Sequence, residues 1–192
     1  MKTPRAVRDR LAAIELLVLD VDGVLTQGDI IYTDSGVETK AFDVRDGLGI
    51  RVASEAGLQI AIMTGRASRV VERRARDLRI SDILQRVGDK AAALRKLAAD
   101  KRIPLERVAF MGDDLNDREA MRLVGLSIAP ADAVPEIQQD AGLVTDAPGG
   151  RGAARQAVEA ILRAKGEWDK AVASYLEGLS ARDRSRRPSD SE

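Results

Sequence analysis

Four consecutive apolar residues, Leu16 to Leu19, run straight into Asp20-Val21-Asp22-Gly23. An apolar run bounded by a glycine turn reads as a buried strand. A buried strand that ends on an unpaired carboxylate loses several kcal/mol of solvation, about the size given for buried ions. A cationic partner is therefore expected beside Asp20 and Asp22. In open α/β sheets the carboxyl ends of the strands face the ligand crevice, which puts both acids on its floor. A metal ion and a phosphate are the natural guests.

Similar short runs recur at 59–63 (QIAIM), 108–111 (VAFM), 126–129 (LSIA) and 143–145 (LVT). Between them, 47–56, 68–78, 90–100, 117–123, 134–141 and 152–164 have helical spacing or composition. Alternation of this kind predicts an α/β fold, a doubly wound parallel sheet with crossover helices on both faces. One segment breaks it: about 28–44 holds two β-rich halves around Asp34-Ser35-Gly36 and reads as a β-hairpin inserted after the first strand. The chain's end, 179–192, is polar and charged, so it is expected to be a disordered tail after a single domain over 1–178.

Composition narrows the chemistry. With 192 residues, 44% of them hydrophobic, the chain suits one well-buried domain. Thirty-one basic residues balance 31 acidic ones and aromatics are only 3%, so neither a basic field nor a base-stacking platform is present and nucleic acid is not an expected partner. There is no cysteine and no histidine, which leaves acid–base and nucleophilic work to Asp, Glu, Lys, Ser, Thr or Tyr. No apolar run approaches the ~20 residues of a membrane helix, and the first residues lack a signal-peptide pattern. No membrane partner and a soluble, cytoplasmic protein are expected.

Four short motifs close successive βα readings: DVDGVLT (20–26), TGR (64–66), Lys90 at the start of a helix, and GDDLND (112–117). In a parallel sheet Asp20, Asp22, Thr64, Asp113 and Asp114 surface at one edge, with Lys90 nearby. Each has a bland reading. The acids could cap a turn or helix, Thr64-Gly65 could be an N-cap, Gly112 could merely permit a tight turn, and Lys90 alone would be an ordinary surface lysine. Together they make a carboxylate cluster with a cation and a hydroxyl, which favours phosphoryl chemistry.

In this order the motifs resemble those of the haloacid dehalogenase superfamily of aspartate-based phosphotransferases. With the hairpin, KAFDVRDGLGIR (40–51) and APGGRG (147–152), the resemblance extends to the capless 3-deoxy-D-manno-octulosonate 8-phosphate phosphatases and spans about 16–175. It implies a Rossmann-like α/β phosphatase without a large cap, hydrolysing a phosphorylated sugar acid whose product feeds lipopolysaccharide synthesis. Asp20 would attack phosphorus to give an aspartyl-phosphate, and Asp22 would protonate the leaving oxygen and then take a proton from the attacking water. Mg²⁺ would be held by Asp20, the backbone carbonyl of Asp22 and Asp113, with Asp114 organising that shell. Thr64 would bond a phosphoryl oxygen and Lys90 would balance charge on the transferring group. Substrate contacts implied by resemblance are Asp43, Val44, Arg45, Asp46, Gly47, Asn116 and a basic rim of Arg51, Arg66, Arg74 and Arg151. For Arg74, a solvated face of the helix that carries ERRAR (72–76) is an equal reading. A homotetramer packed through the hairpin is also implied.

Many relatives read ADAHP where this chain has ADAVP, with Val134 in place of the histidine. That leaves another ulosonic or sialic acid phosphate, or small phosphomonoesters at large, open as substrates. Two readings of other classes also stand: a phospho-aspartate signalling module, which would hold its phosphate for minutes, and an accessory subunit that has recruited the fold. A second acid at position 22 argues against the former, and the full set Asp20, Asp22, Lys90 and Asp113 against the latter.

Overall fold

A computed structural model describes residues 4–186. Strand β1 (Leu16–Leu19) lies at the centre of a six-stranded sheet, between β4 (Gln59–Met63) and β6 (Val108–Met111). Outside β4 lies β5 (Asp82–Leu84), and beyond β6 follow β7 (Leu126–Ala129) and β8 (Leu143–Val144). All five pairings are parallel, with Leu16 level with both Gln59 and Val108.

Because side chains alternate along a strand, β1 feeds two separate cores. Leu17 and Leu19 pack with apolar residues of α1 (Arg5–Ala13), α2 (Val44–Glu55), α3 (Arg69–Leu78), α7 (Ala153–Ala164) and α8 (Trp168–Arg186). Leu16 and Val18 pack with those of α4 (Lys90–Lys101), α5 (Arg118–Met121) and α6 (Pro135–Asp140) on the other face. Burial on both faces explains why β1 is apolar at every position rather than at alternate ones.

The chain winds outward from β1 through β4 to β5, then returns to the other side of β1 through β6, β7 and β8. This reversal opens a crevice at the carboxyl end of β1. The residues that follow β1, β4 and β6 meet there, and the backbone ties them: Asp20 N–H donates to Met111 O (3.0 Å), Thr64 N–H to Leu84 O (2.9 Å) and Gly112 N–H to Ile128 O (3.2 Å).

The hairpin is present but shorter than the sequence suggests. Only β2 (Ile31–Tyr32) and β3 (Glu38–Thr39) pair, antiparallel, in a two-stranded sheet of their own. Thr33 closes the expected turn, its N–H on Val37 O at 3.0 Å and its carbonyl accepting from Gly36. By residue 43 the chain has turned to helix entry, with the Asp43 carboxylate capping Arg45 N–H at 2.6 Å.

Three elements depart from the sequence reading. Strand β5 was not expected: it has three half-buried residues, opens on Asp82 and pairs only with β4, too little pattern for periodicity to register. Helix α1 and helix α8 were not expected either. The predicted tail from 179 is helical as far as Arg186, and 187–192 lie outside the described residues. The physical reason is that 168–186 contains one glycine and no proline. Among the described residues no helix is long and apolar enough to cross a membrane.

Candidate active site

At the carboxyl end of β1, Asp20 is buried and its Oδ2 lies 3.0 Å from Lys90 Nζ. Lys90 opens α4, whose cap is Asp89, the carboxylate of which accepts Ala92 N–H at 2.9 Å. The Lys90 ammonium also donates to Asp117 Oδ1 at 2.5 Å. Asp117 is the last residue of GDDLND and is 0% exposed. Its other oxygen accepts the N–H groups of Asp113 (3.1 Å) and Asp114 (3.4 Å), so one carboxylate folds the 112–117 loop and anchors Lys90.

Two glycines make this approach possible. A Cβ on Gly23 (φ 87°) would lie 1.9 Å from Asp113 Oδ2, and one on Gly112 would lie 2.4 Å from the Asp117 side chain. A larger residue at Gly23 would displace the Asp113 carboxylate, and one at Gly112 the Asp117 side chain.

Asp20, Asp113 and Asp117 each bring one carboxylate oxygen to within 4.8 Å of the other two. Burial, then the neighbouring Asp117, pushes the Asp20 carboxyl up to about 7, against the pull of Lys90. Burial, then Asp20 and Asp117, pushes Asp113 up to about 8. Burial pulls Lys90 down, but Asp20 and Asp117 outweigh it and leave its pKa raised. Three carboxylates thus face one ammonium, and Asp113 Oδ1 is buried with no hydrogen-bond partner. An all-oxygen donor set in charge excess, with an orphaned oxygen, fits a hard divalent cation such as Mg²⁺.

Asp22 stands apart from this triad. Its Oδ1 accepts from Lys40 Nζ, and its Oδ2 lies 3.8 Å from Arg66 Nε. Lys40 lies 3.6 Å from Glu38 Oε1, and Glu38 also accepts from Ser68 Oγ and from Arg66 Nη2 (3.4 Å). Arg66 reaches the hairpin a second time, at Tyr32 Oη (3.0 Å). Its Nε is buried without a hydrogen-bond partner. Thr64, at the end of β4, is buried, and its Oγ1 accepts Arg66 N–H at 3.3 Å.

The structure brings Asp20, Asp22, Thr64, Arg66, Lys90 and Asp113 to one crevice and sorts the remaining candidates differently. Asp114 is exposed and shares the ordering of the loop with Asp117: its carboxylate caps Leu115 N–H at 2.7 Å and forms a capping box with Asp117. Asp46 is turned away from the crevice chemistry. It is buried and accepts Gly152 N–H (3.1 Å) and Arg155 N–H (2.7 Å), capping α7 from a distant part of the chain. Arg51 pairs with Glu55 one turn along its own helix at 3.1 Å. Arg74 packs on the Phe42 ring, sits against Gly47 and donates to Asp43 O at 3.1 Å, which makes it a support for the 43–47 turn. Arg45 bonds Asp43 (2.6 Å) and Arg151 O (3.1 Å), and Arg151 Nε bonds Gln27 Oε1 at 3.0 Å. Val44 and Asn116 are exposed.

Sequence reasoning missed Asp117, Lys40 and Glu38. Asp117 stood inside a quoted motif, four residues from Asp113, but read as the start of a helix. Lys40 stood at the head of a quoted motif without being singled out and Glu38 just before it, because only the fold of the hairpin turns them inward. Val134, at the departure from the relatives' pattern, donates its N–H to Asp113 O at 3.0 Å, a backbone contact that any residue but proline can make. A separate cleft of about 700 Å³ runs along β8 between α1 and α7, lined by Arg8, Leu143, Gln156 and Arg163 among others, and holds none of these groups.

Comparison with known proteins agrees with this geometry. Residues 79–155 match the family model of haloacid dehalogenase-like hydrolases. Over 158 residues the chain is 46% identical to the 3-deoxy-D-manno-octulosonate 8-phosphate phosphatase KdsC of Escherichia coli strain K12, covering 82% of this chain and 84% of that protein. The crystal structure of the phosphatase of the same name from Yersinia pestis superposes with a TM-score of 0.85 at 43% identity, covering 86% and 89% of the two chains. That from Moraxella catarrhalis, solved with a magnesium ion, a phosphate ion and a KDO molecule, superposes with a TM-score of 0.86 at 40% identity over 88% of this chain and 97% of that one.

Proposed function

The chain belongs to the 3-deoxy-D-manno-octulosonate 8-phosphate phosphatases, within the haloacid dehalogenase-like hydrolases, and from that premise we propose that it hydrolyses this sugar-acid phosphate by covalent catalysis on Asp20. The observation that carries the reading is the meeting of Asp20, Asp113, Asp117 and Lys90 at the carboxyl end of β1.

An Asp20 oxygen attacks phosphorus, the bond from phosphorus to the sugar oxygen breaks, and Asp22 gives that oxygen a proton. Asp22 then takes a proton from water, which attacks the aspartyl-phosphate and breaks the bond from phosphorus to the Asp20 oxygen, freeing phosphate and the carboxylate. Splitting one hard displacement into two easier ones is the gain of covalent catalysis, and opposite proton roles suit two acids in unlike surroundings. Asp20 and Asp113, with Asp117 beside them, would hold Mg²⁺, which when bound would supply the positive charge that lets a carboxylate approach a phosphate. Lys90 opposes the burial that favours the neutral form of Asp20 and balances charge on the phosphoryl oxygens, to one of which Thr64 donates. Arg66, with a buried Nε free to donate, suits a carboxylate or phosphate of the substrate through its planar fork.

The hairpin exposes Ile30, Ile31, Tyr32 and Val37. An apolar patch on a short two-stranded sheet supports packing against other copies, and a homotetramer acting in the cytoplasm completes the proposal. Light scattering on the purified protein tests the assembly. The activity is tested by phosphate release from 3-deoxy-D-manno-octulosonate 8-phosphate with Mg²⁺, wild type beside Asp20→Asn. Release by the wild type alone supports the reading, and equal release by both removes Asp20 as the nucleophile.

A further inference from the structure

The hairpin does more than present an apolar surface: its second leg sends one ammonium group into the site. Lys40 follows β3, and its side chain is 1% exposed. Burying an ammonium is tolerated where carboxylates compensate it, and Lys40 has two, Asp22 Oδ1 in direct contact and Glu38 Oε1 at 3.6 Å. Each of the two carboxylates of the DxD motif thus has a lysine of its own: Lys90 from α4 on Asp20, and Lys40 from the hairpin on Asp22.

We propose that Lys40 is a positioning residue for the proposed reaction, clamping Asp22 through Oδ1 so that Oδ2 is the oxygen presented to the leaving group and then to water. The inference rests on the phosphatase reading above and deepens it. Three features support it. The Asp22 carboxylate is engaged unequally, with Lys40 in contact at Oδ1 and Arg66 Nε standing off at 3.8 Å from Oδ2. Contact with an ammonium suits an oxygen that accepts throughout, whether the carboxyl is charged or neutral, because Lys⁺ is donor-only. Finally, Glu38 ties Lys40 to Arg66 and Ser68, so the clamp is seated on the body of the protein as well as on the hairpin. General acid–base groups work only within hydrogen-bond reach and in the right orientation, which is what this contact provides.

The test is a double-mutant cycle of Lys40→Met and Asp22→Asn, with phosphate release measured on both 3-deoxy-D-manno-octulosonate 8-phosphate and p-nitrophenyl phosphate in Mg²⁺, and melting followed by circular dichroism. Lys40→Met should lower kcat about 10- to 100-fold, a fraction of what a proton-transfer group contributes, with KM within about twofold. On the Asp22→Asn background it should cause no further loss, since residues that act as one unit do not add. If Lys40→Met does not fold, Lys40→Gln takes its place in the same cycle. A kcat within twofold of wild type, a raised KM at unchanged kcat, or an equal extra loss on the Asp22→Asn background each overturns the proposal. A wild type active on p-nitrophenyl phosphate but not on the octulosonate ester overturns the substrate assignment while the Lys40 comparison is still decided. A wild type inert to both overturns the two together.

Discussion

Lys90 Nζ lies 2.5 Å from Asp117 Oδ1, and neither side chain is more than 2% exposed. The pair is fully desolvated, and its acid also holds the backbone of the 113–114 turn. Removing one partner of a buried pair leaves an uncompensated charge and costs about 3–5 kcal/mol. Asp117→Ala should therefore lower unfolding free energy by about 3 kcal/mol in urea titration, the low end because Asp20 still faces Lys90. It should also weaken Mg²⁺ uptake, since the loop that carries Asp113 loses its anchor.

Protons and Mg²⁺ compete for the same oxygens. Without metal, Asp113 titrates at about 8 and Asp20 at about 7, above the ordinary carboxylate range. Raised acids bind protons more tightly in the fold than in the unfolded chain, so metal-free stability should fall as pH rises from about 4 toward 8. Mg²⁺ should bind more tightly over the same rise and release protons near pH 7. Calorimetric titration in buffers of different ionisation enthalpy measures that release. Binding without proton release would contradict it.

The hairpin is seated by charge. The Ser68 hydroxyl does most to hold Glu38 below its usual 4.5; burial opposes it, and Lys40 and then Arg66 add to the lowering. A lowered acid contributes its stability above the unfolded pKa and loses it as pH falls through the folded one. The hairpin should stay docked from neutral pH to about 4.5 and loosen below that. Amide hydrogen exchange of 31–39 reports this, and Glu38→Gln should show the loosened pattern already at pH 7.

Gly23 takes φ 87°, and a Cβ there would meet Asp113 Oδ2 at 1.9 Å. Gly23→Ala combines left-handed strain of about 1 kcal/mol with a displaced carboxylate. Activity should drop by more than tenfold while the fold survives, with the loss concentrated in Mg²⁺ affinity, as read by titrating activity against Mg²⁺.

Arg79 ends α3 in the left-handed conformation at φ 60°, on the surface, where glycine is the usual residue. Arg79→Gly should raise stability by ~0.5 kcal/mol, the strain relieved less the entropy that glycine adds to the unfolded chain. Because the position is remote from the acidic cluster, kcat should be unchanged.

Much of the molecule was legible because its signals are local. The run Leu16–Leu19, apolar at every position, dictated a strand buried on both faces, and the acids that follow it, with Thr64, Lys90 and Asp113 after later elements, dictated a crevice of carboxylates with one ammonium. Periodicity and strand-end chemistry are properties of neighbouring residues, so they survive without knowledge of the fold. Tertiary structure alone decided which partner each side chain takes. Lys40 reaches Asp22 across 18 positions, Lys90 reaches Asp117 across 27, and Asp46 caps the Gly152 N–H across 106. Asp46 and Asp22 each stand directly before a glycine in the sequence. What separates them is the burial of one against a helix end and of the other against a lysine, and burial is set by how distant elements pack.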